Sequence, residues 1–349
     1  MPESFFELSQ KDQREALEYA RAETGRPAHL LEKDIWVVWT LRTLFHAAIG
    51  ADLTFKGGTS LSKAYKVIDR FSEDIDLTYD IRKLIPDLTG KSGELPRSRS
   101  QAGKWTKAVR HRLPDWITTN IQPVIETALA KEGIQAQLEQ GGKDNDKLAL
   151  HYPALTKGTG YIAPVVTLEF GGRATGEPHE IHSVECDIAE HLAEIEFPTA
   201  SPQVMSLSRT FWEKATAAHV FCAQGRLRGE RYARHWHDLA AISRSPHYTT
   251  VISDRTVAST VAQHKAHFFI EKDTEGEVID YIAATTGKLK IVPDGDAKTA
   301  LAKDYEAMMA DQVMVGEALP FDALLDACAT IEKAINESKK LQSRKWGAP

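Results

Sequence analysis

The stretch from Leu53 to Leu77 constrains this chain more than any other. Leu53-Thr54-Phe55 is a short β-prone run that stops at Gly57-Gly58. Beyond the glycines, Leu61, Ala64, Tyr65 and Ile68 recur at helical spacing. Asp74-Ile75-Asp76-Leu77 then alternates polar and apolar, as a strand with one buried face does. The spacing predicts strand, glycine turn, helix and strand within 53–81, so a sheet with a helix packed on it.

This unit carries chemistry as well as shape. Two glycines let the backbone approach a ligand without a Cβ in the way. Thr59 or Ser60 is placed to cap the helix, and the first free N–H groups with the dipole favour a phosphate. Lys56 precedes the turn, and Lys63 offers a positive charge one turn further on. Residues i and i+2 of a strand point the same way, so Asp74 and Asp76 converge. Such a pair repels unless a counter-ion joins it. Mg²⁺ suits a few carboxylates plus phosphate oxygens. Glu73 falls on the opposite side. Taken singly, each piece also fits something blander: a capped helix after a tight turn, and a solvated strand edge.

Together these residues resemble the signature of the DNA polymerase β-like nucleotidyltransferases. More narrowly, they resemble the AbiEii/AbiGii toxin family with its MenT-like members. The resemblance rests on Leu31-Glu32-Lys33-Asp34, Phe55 to Lys63 and Arg70 to Leu77, and runs over roughly residues 28–245. It implies an α+β fold: a polymerase β-like nucleotidyltransferase domain with a mixed sheet, then an α-helical domain. It also implies a nucleoside triphosphate substrate with Mg²⁺ or Mn²⁺, and Lys56, Gly57, Gly58, Thr59, Ser60 and Lys63 as the triphosphate seat. Asp74 and Asp76 would hold the metal.

Bulk properties fit an ordinary globular chain. Its 349 residues suffice for two domains, and 42% hydrophobic with 26% charged residues is unexceptional. No run approaches a membrane span, and the first residues lack a secretory pattern. Cys186, Cys222 and Cys328 stand far apart, which suits a reducing cytoplasm and argues against zinc. A net charge of −6 excludes a globally basic nucleic-acid binder.

Helices are expected at 10–25, 33–49 and 105–132, a loop at 86–103, and strands at 134–139, 147–153, 163–171 and 183–187. Pro198 and Pro202 flank an expected boundary, giving domains 1–198 and 199–349. Further helices are expected at 204–224, 229–244, 253–270, 297–311 and 320–345, with a long loop at 271–296.

Other residues join the candidate site. Glu169 is a lone acid in the apolar strand Val165–Phe170 and needs a partner, either catalysis or a base such as Arg173. The resemblance makes it the third carboxylate, which assists metal or deprotonates the acceptor. It makes Lys214 the cation beside the triphosphate and Asp238, in Arg234-His235-Trp236-His237-Asp238-Leu239, a further catalytic acid. Without the resemblance, Lys214 reads as solvated surface and Asp238 as half of a helix-tying pair. His235 and His237 lie on different helix faces and suggest no shared metal.

Three basic stretches are candidate RNA contacts. Arg97, Arg99, Lys104, Lys107, Arg110 and Arg112 surround Trp105. Arg226, Arg228, Arg231 and Arg234 form the second, and Lys339, Lys340, Arg344 and Lys345 with Trp346 the third. The resemblance implies that the acceptor is the 3′ end of tRNA, that translation is blocked, and that a cognate antitoxin opposes the toxin in phage defence. Alternatives are nucleotidylylation of a protein or small molecule, and a non-catalytic RNA- or protein-binding module.

Overall fold

The computed structural model describes residues 2–72, 74–90, 95–157, 163–225, 231–310, 314, 316 and 318–345, with side chains as far as 337. Contacts divide the chain into two compact units. The first comprises 1–66, 71–94 and 104–205, the second 67–70, 95–103 and 206–349. The fold is α+β.

In the first unit, α1 (Gln10–Thr24) and α2 (Ala28–His46) precede β1 (Leu53–Lys56), α3 (Gly57–Lys63) and β2 (Ile75–Tyr79). Helix α4 (Arg99–Trp116) begins among residues of the second unit, and α5 (Gln122–Glu132) follows it. Then come β3 (Gln137–Gly141), β4 (Lys147–His151), β5 (Val165–Gly171), β6 (His179–Ile181) and β7 (Gln203–Met205). Seven strands form one mixed sheet in the order β3-β4-β5-β2-β1-β7-β6. Strand β2 is central, antiparallel to β1 and parallel to β5.

Helix α2 is the core helix. Ile35, Val38, Trp39, Leu41 and Leu44 are fully buried, each contributing about 2–3 kcal/mol of burial. It starts at Ala28, ahead of the expected 33, with Pro27 at its N-cap. The expected 86–103 loop is partly helical, with a turn at Pro86–Thr89 and α4 from Arg99. The expected 105–132 helix is broken by a π-turn at Ile117–Ile121, between Pro114 and Pro123, each lacking an N–H for the ladder. Val184–Glu185 is a strand, but it pairs with Thr199–Ala200 outside the large sheet.

The second unit is helical: α6 (Leu207–Gln224), α7 (Arg234–Arg244), α8 (Arg255–Phe268), α9 (Gly295–Ala310) and α10 (Phe321–Lys345). Ser206 caps α6 by accepting from the Arg209 N–H, and Gly225 ends it at φ 61. Trp212 and Trp236 are fully buried, and the Trp236 indole donates to the Ile291 carbonyl at 2.6 Å. The 271–296 stretch is a turn-rich connection with a Lys272–Val278 bridge and a helix at Tyr281–Thr285. Among the described residues, no helix is long and apolar enough to cross a membrane.

Candidate active site

Gly57 opens α3 at φ +80, a conformation that favours glycine. A Cβ there would sit 1.9 Å from Oδ2 of Asp76, so the Asp76 carboxylate lies directly against the glycine turn. Strand register explains the approach: Lys56 pairs with Asp76 across β1 and β2. Asp74 stands one residue before β2, and its carbonyl accepts the Thr59 hydroxyl at 2.6 Å. The start of α3 is thus tied to the segment that carries both aspartates. Glu73 lies outside the described residues.

The neighbouring strands extend this face. Asp76 pairs with Glu169 on β5, and Glu169 with Lys147 on β4. Along β5, Val166, Leu168 and Phe170 are buried while Thr167, Glu169 and Gly171 are half-buried. Glu169 therefore faces away from the apolar core, which removes the difficulty of a lone buried acid. Its partner is Lys147, not Arg173. The Lys147 ammonium is held above its usual pKa by the Glu169 hydrogen bond, with help from the charges of Asp74 and Asp146. A Cβ on Gly171 would lie 3.8 Å from the Lys56 ammonium. Lys56, Asp76, Glu169 and Lys147 thus form a row of alternating charge on four adjacent strands. Sequence reasoning missed Lys147. Lys147-Leu148-Ala149-Leu150 alternates like a strand, but no local pattern reveals which strand lies beside it.

Three expectations for the turn need correction. Thr59 and Ser60 do not cap α3; Lys56 is the N-cap residue, with no side-chain cap bond. Both hydroxyls are buried, Thr59 on Asp74 and Ser60 on the Gly57 carbonyl at 3.0 Å. Lys63 does not stand at the turn as an unpaired cation either. It is buried, and its ammonium contacts Asp34 and Asp187 at 2.7 Å each. Burial pulls its pKa down, but the two carboxylates outweigh that and hold it above the usual value. What remains half-buried at the turn is Lys56, Gly57 and Gly58.

In the second unit, Lys214 on α6 and Asp238 on α7 meet at 2.8 Å. Arg70 grips the same carboxylate through two bonds of 2.8 Å, and His237 Nδ1 lies 3.2 Å away. Asp238 is fully buried. Burial alone would raise its pKa, but Arg70 and Lys214 drive it well below the carboxylate range. So occupied, Asp238 is an anchor rather than a base open to a substrate hydroxyl, which corrects its expected role. Burial and the nearby Lys214 push His235 down to about 3, so its ring is neutral. Sequence reasoning quoted Arg70 without a role, because its partner stands 168 residues away.

The basic stretches are less uniform than their sequence suggests. Arg97, Arg99, Lys104, Lys107 and Arg110 are exposed. Arg110 pairs with Asp144 at 3.3 Å, and Arg112 is held by Asp87. Trp105 is buried, so it offers no ring for a base to stack on. Arg231, at φ 64, donates its N–H to Asp304, and Arg234 is half-buried at the start of α7. Arg226, Arg228 and Trp346, and the side chains of Lys339, Lys340, Arg344 and Lys345, lie outside the described residues.

Among the described residues no group of three or more His, Cys, Asp or Glu could by itself hold a metal ion. Asp74 and Asp76 offer only hard oxygen donors, and Mg²⁺ is commonly bound by one or two carboxylates completed by water and phosphate oxygens. The donor set therefore fits a divalent ion brought with a nucleotide better than a permanently caged one.

The sequence profile of a family described as nucleotidyl transferase AbiEii toxin, Type IV TA system, matches residues 39–327. No curated protein matches the chain. Among solved structures, MenT4, a nucleotidyltransferase toxin from Mycobacterium tuberculosis H37Rv, aligns over 96% of this chain and 99% of its own. The identity is 16% and the TM-score 0.43, too loose a likeness to carry any residue across. Because the profile spans most of its length, this chain belongs to the AbiEii family, the nucleotidyltransferase toxins of type IV toxin–antitoxin systems.

Proposed function

We propose that this toxin transfers a nucleotidyl group from a nucleoside triphosphate to the 3′ acceptor end of tRNA, and so blocks translation. The observation that carries the reading is the Asp76 carboxylate set against Gly57, in register with Glu169. The backbone at Gly57 and Gly58 seats the triphosphate, with the Lys56 ammonium beside it. Asp74 and Asp76 hold a divalent ion, Mg²⁺ or Mn²⁺, which when bound neutralises phosphate charge and polarises the attacked phosphorus. Glu169 accepts the proton of the attacking hydroxyl, and the Lys147 ammonium paired with it orients that carboxylate. The hydroxyl oxygen attacks the α-phosphorus in line and pyrophosphate leaves. Lys214 stays in the proposal as a catalytic cation, with Asp238 and Arg70 orienting it. Arg97, Arg99, Lys104 and Lys107 are the proposed RNA contacts, acting on backbone phosphates by charge alone. A type IV family implies an antitoxin partner, and the cytoplasm is the proposed site of action.

The test is incubation of the protein with each labelled triphosphate and total tRNA. Label should pass to RNA, and Asp76→Asn should reduce transfer about 100- to 1,000-fold, the usual cost of losing one electrostatic contributor. Lys214→Met in the same assay checks the cationic role. Label appearing on protein alone would overturn the tRNA acceptor. Undiminished transfer by Asp76→Asn would overturn the site.

A further inference from the structure

Glu32-Lys33-Asp34 takes no part in the chemistry proposed above, yet all three side chains are buried, at 1, 3 and 4% exposure. Charged groups are rarely so enclosed without partners. Glu32 accepts the N–H groups of Leu155 and Thr156 at 2.7 and 3.0 Å and the Thr156 hydroxyl at 2.6 Å. Lys33 donates to the Ala163 carbonyl at 3.2 Å. Asp34 takes the Lys63 ammonium on one oxygen and the Asp187 N–H on the other, both at 2.7 Å. The Asp187 carboxylate completes the cluster by accepting Lys63 and Arg26.

Helix α3 has only seven residues and no side-chain N-cap. A helix that short does not hold its own shape in water. The hydroxyls of Ser60 and Ser62 are spent on carbonyls within it. Among the described residues, the side-chain bonds that leave α3 are Thr59 to the Asp74 carbonyl at one end, and Lys63 to Asp34 and Asp187 at the other. The first fixes the helix start to the strand of aspartates. The second fixes its last residue to α2 and to the segment after Val184–Glu185.

We infer that Asp34, Lys63 and Asp187 form a clamp that sets the pose of α3, and with it the Gly57–Gly58 turn, making them positioning residues for nucleotide binding. This rests on reading that turn as the nucleotide seat. One ammonium between two carboxylates is held from both sides, and the contact with Asp34 is the more enclosed and so the stronger. Pose matters because an ångström of misplacement costs a transfer reaction about 100-fold.

The test uses the full-length protein and equilibrium titration with a fluorescent nucleoside triphosphate and Mg²⁺, beside transfer kinetics and melting temperature. Asp187→Asn is the first variant, since that side chain is 31% exposed and tolerates the change. Asp34→Asn is the second. Each should weaken nucleotide binding about tenfold, or roughly 1.4 kcal/mol, and raise KM for the triphosphate while RNA affinity stays put. Glu32→Gln, on the same helix and as deeply buried, should lower the melting temperature without moving nucleotide affinity. Lys63→Arg should keep most of the affinity that Lys63→Met loses. Wild-type nucleotide affinity in folded Asp187→Asn, or equal loss in Asp34→Asn and Glu32→Gln, would reduce the clamp to ordinary core packing. If the wild type itself binds no triphosphate, the nucleotide seat fails, and the clamp with it. If the wild type binds and Asp187→Asn binds equally, only the clamp fails.

Discussion

Two buried ion clusters, one in each unit, solve opposite problems. In the first unit one ammonium, Lys63, is shared by two carboxylates, Asp34 and Asp187. In the second one carboxylate, Asp238, is shared by two cations, Arg70 and Lys214. The consequence is visible in the acids. Burial raises the pKa of Asp34, and Asp187 adds to that against the pull of Lys63. Burial works on Asp238 too, but its two cations reverse the sign and hold it well below the usual range. Burial alone therefore does not decide whether an enclosed carboxylate keeps its charge; the sign of the surplus around it does.

The largest effect should come from emptying the second cluster. Asp238→Ala removes the carboxylate that Arg70 and Lys214 share, and the Arg70 guanidinium keeps its charge at any ordinary pH. We expect a loss of about 3–5 kcal/mol, read by chemical denaturation. A loss below about 1 kcal/mol would mean that water reaches the cations and that the cluster is not enclosed.

Lys63→Met should cost less, and its cost should depend on pH. Asp187 keeps Arg26, but Asp34 loses its cation and can take up a proton, so the penalty should shrink as pH falls from 8 to 5, whereas that of Asp238→Ala should not. Equal pH responses in the two variants would break the comparison.

Isosteric neutralisation sharpens it further. Asp34 binds its proton more tightly folded than unfolded, so its contribution is greatest at low pH and declines as pH rises through its raised folded value. Asp238 is the reverse: its contribution is present above the unfolded carboxylate value of about 3.9 and is lost as pH falls through the lowered folded value. The destabilisation by Asp34→Asn should thus decrease with rising pH, and that by Asp238→Asn should increase. Denaturation at pH 3 to 7 measures both slopes.

The smallest effect marks the exposed limit. Glu169 and Lys147 form an ion pair with both side chains more than a third exposed. Lys147→Met should change stability by less than about 1 kcal/mol. Its expected signature is kinetic, a transfer rate that falls while the melting temperature holds. A lost melting transition would instead make the pair structural.

The division between what could be read and what could not follows the range of each interaction. The β1–α3–β2 unit was legible because two glycines and a polar–apolar alternation are short-range demands of the backbone. The alternation of Val165–Gly171 was legible for the same reason, and with it Glu169 as the odd residue of its strand. The π-turn after α4 was not, because periodicity registers an apolar stripe and not the missing N–H groups of Pro114 and Pro123. Lys63 read as a free cation because its partner Asp187 lies 124 residues on.

The sequence by itself determined a glycine turn beside a pair of aspartates, and with it the family and the class of chemistry. Only the tertiary structure decided which charges remain at that turn and which are consumed in holding it. Backbone conformation is chosen by near neighbours in the chain, whereas a counter-ion is chosen by distance in space. That distance is settled only when the sheet has put Lys147 beside Glu169, and the folded core Asp34 beside Lys63.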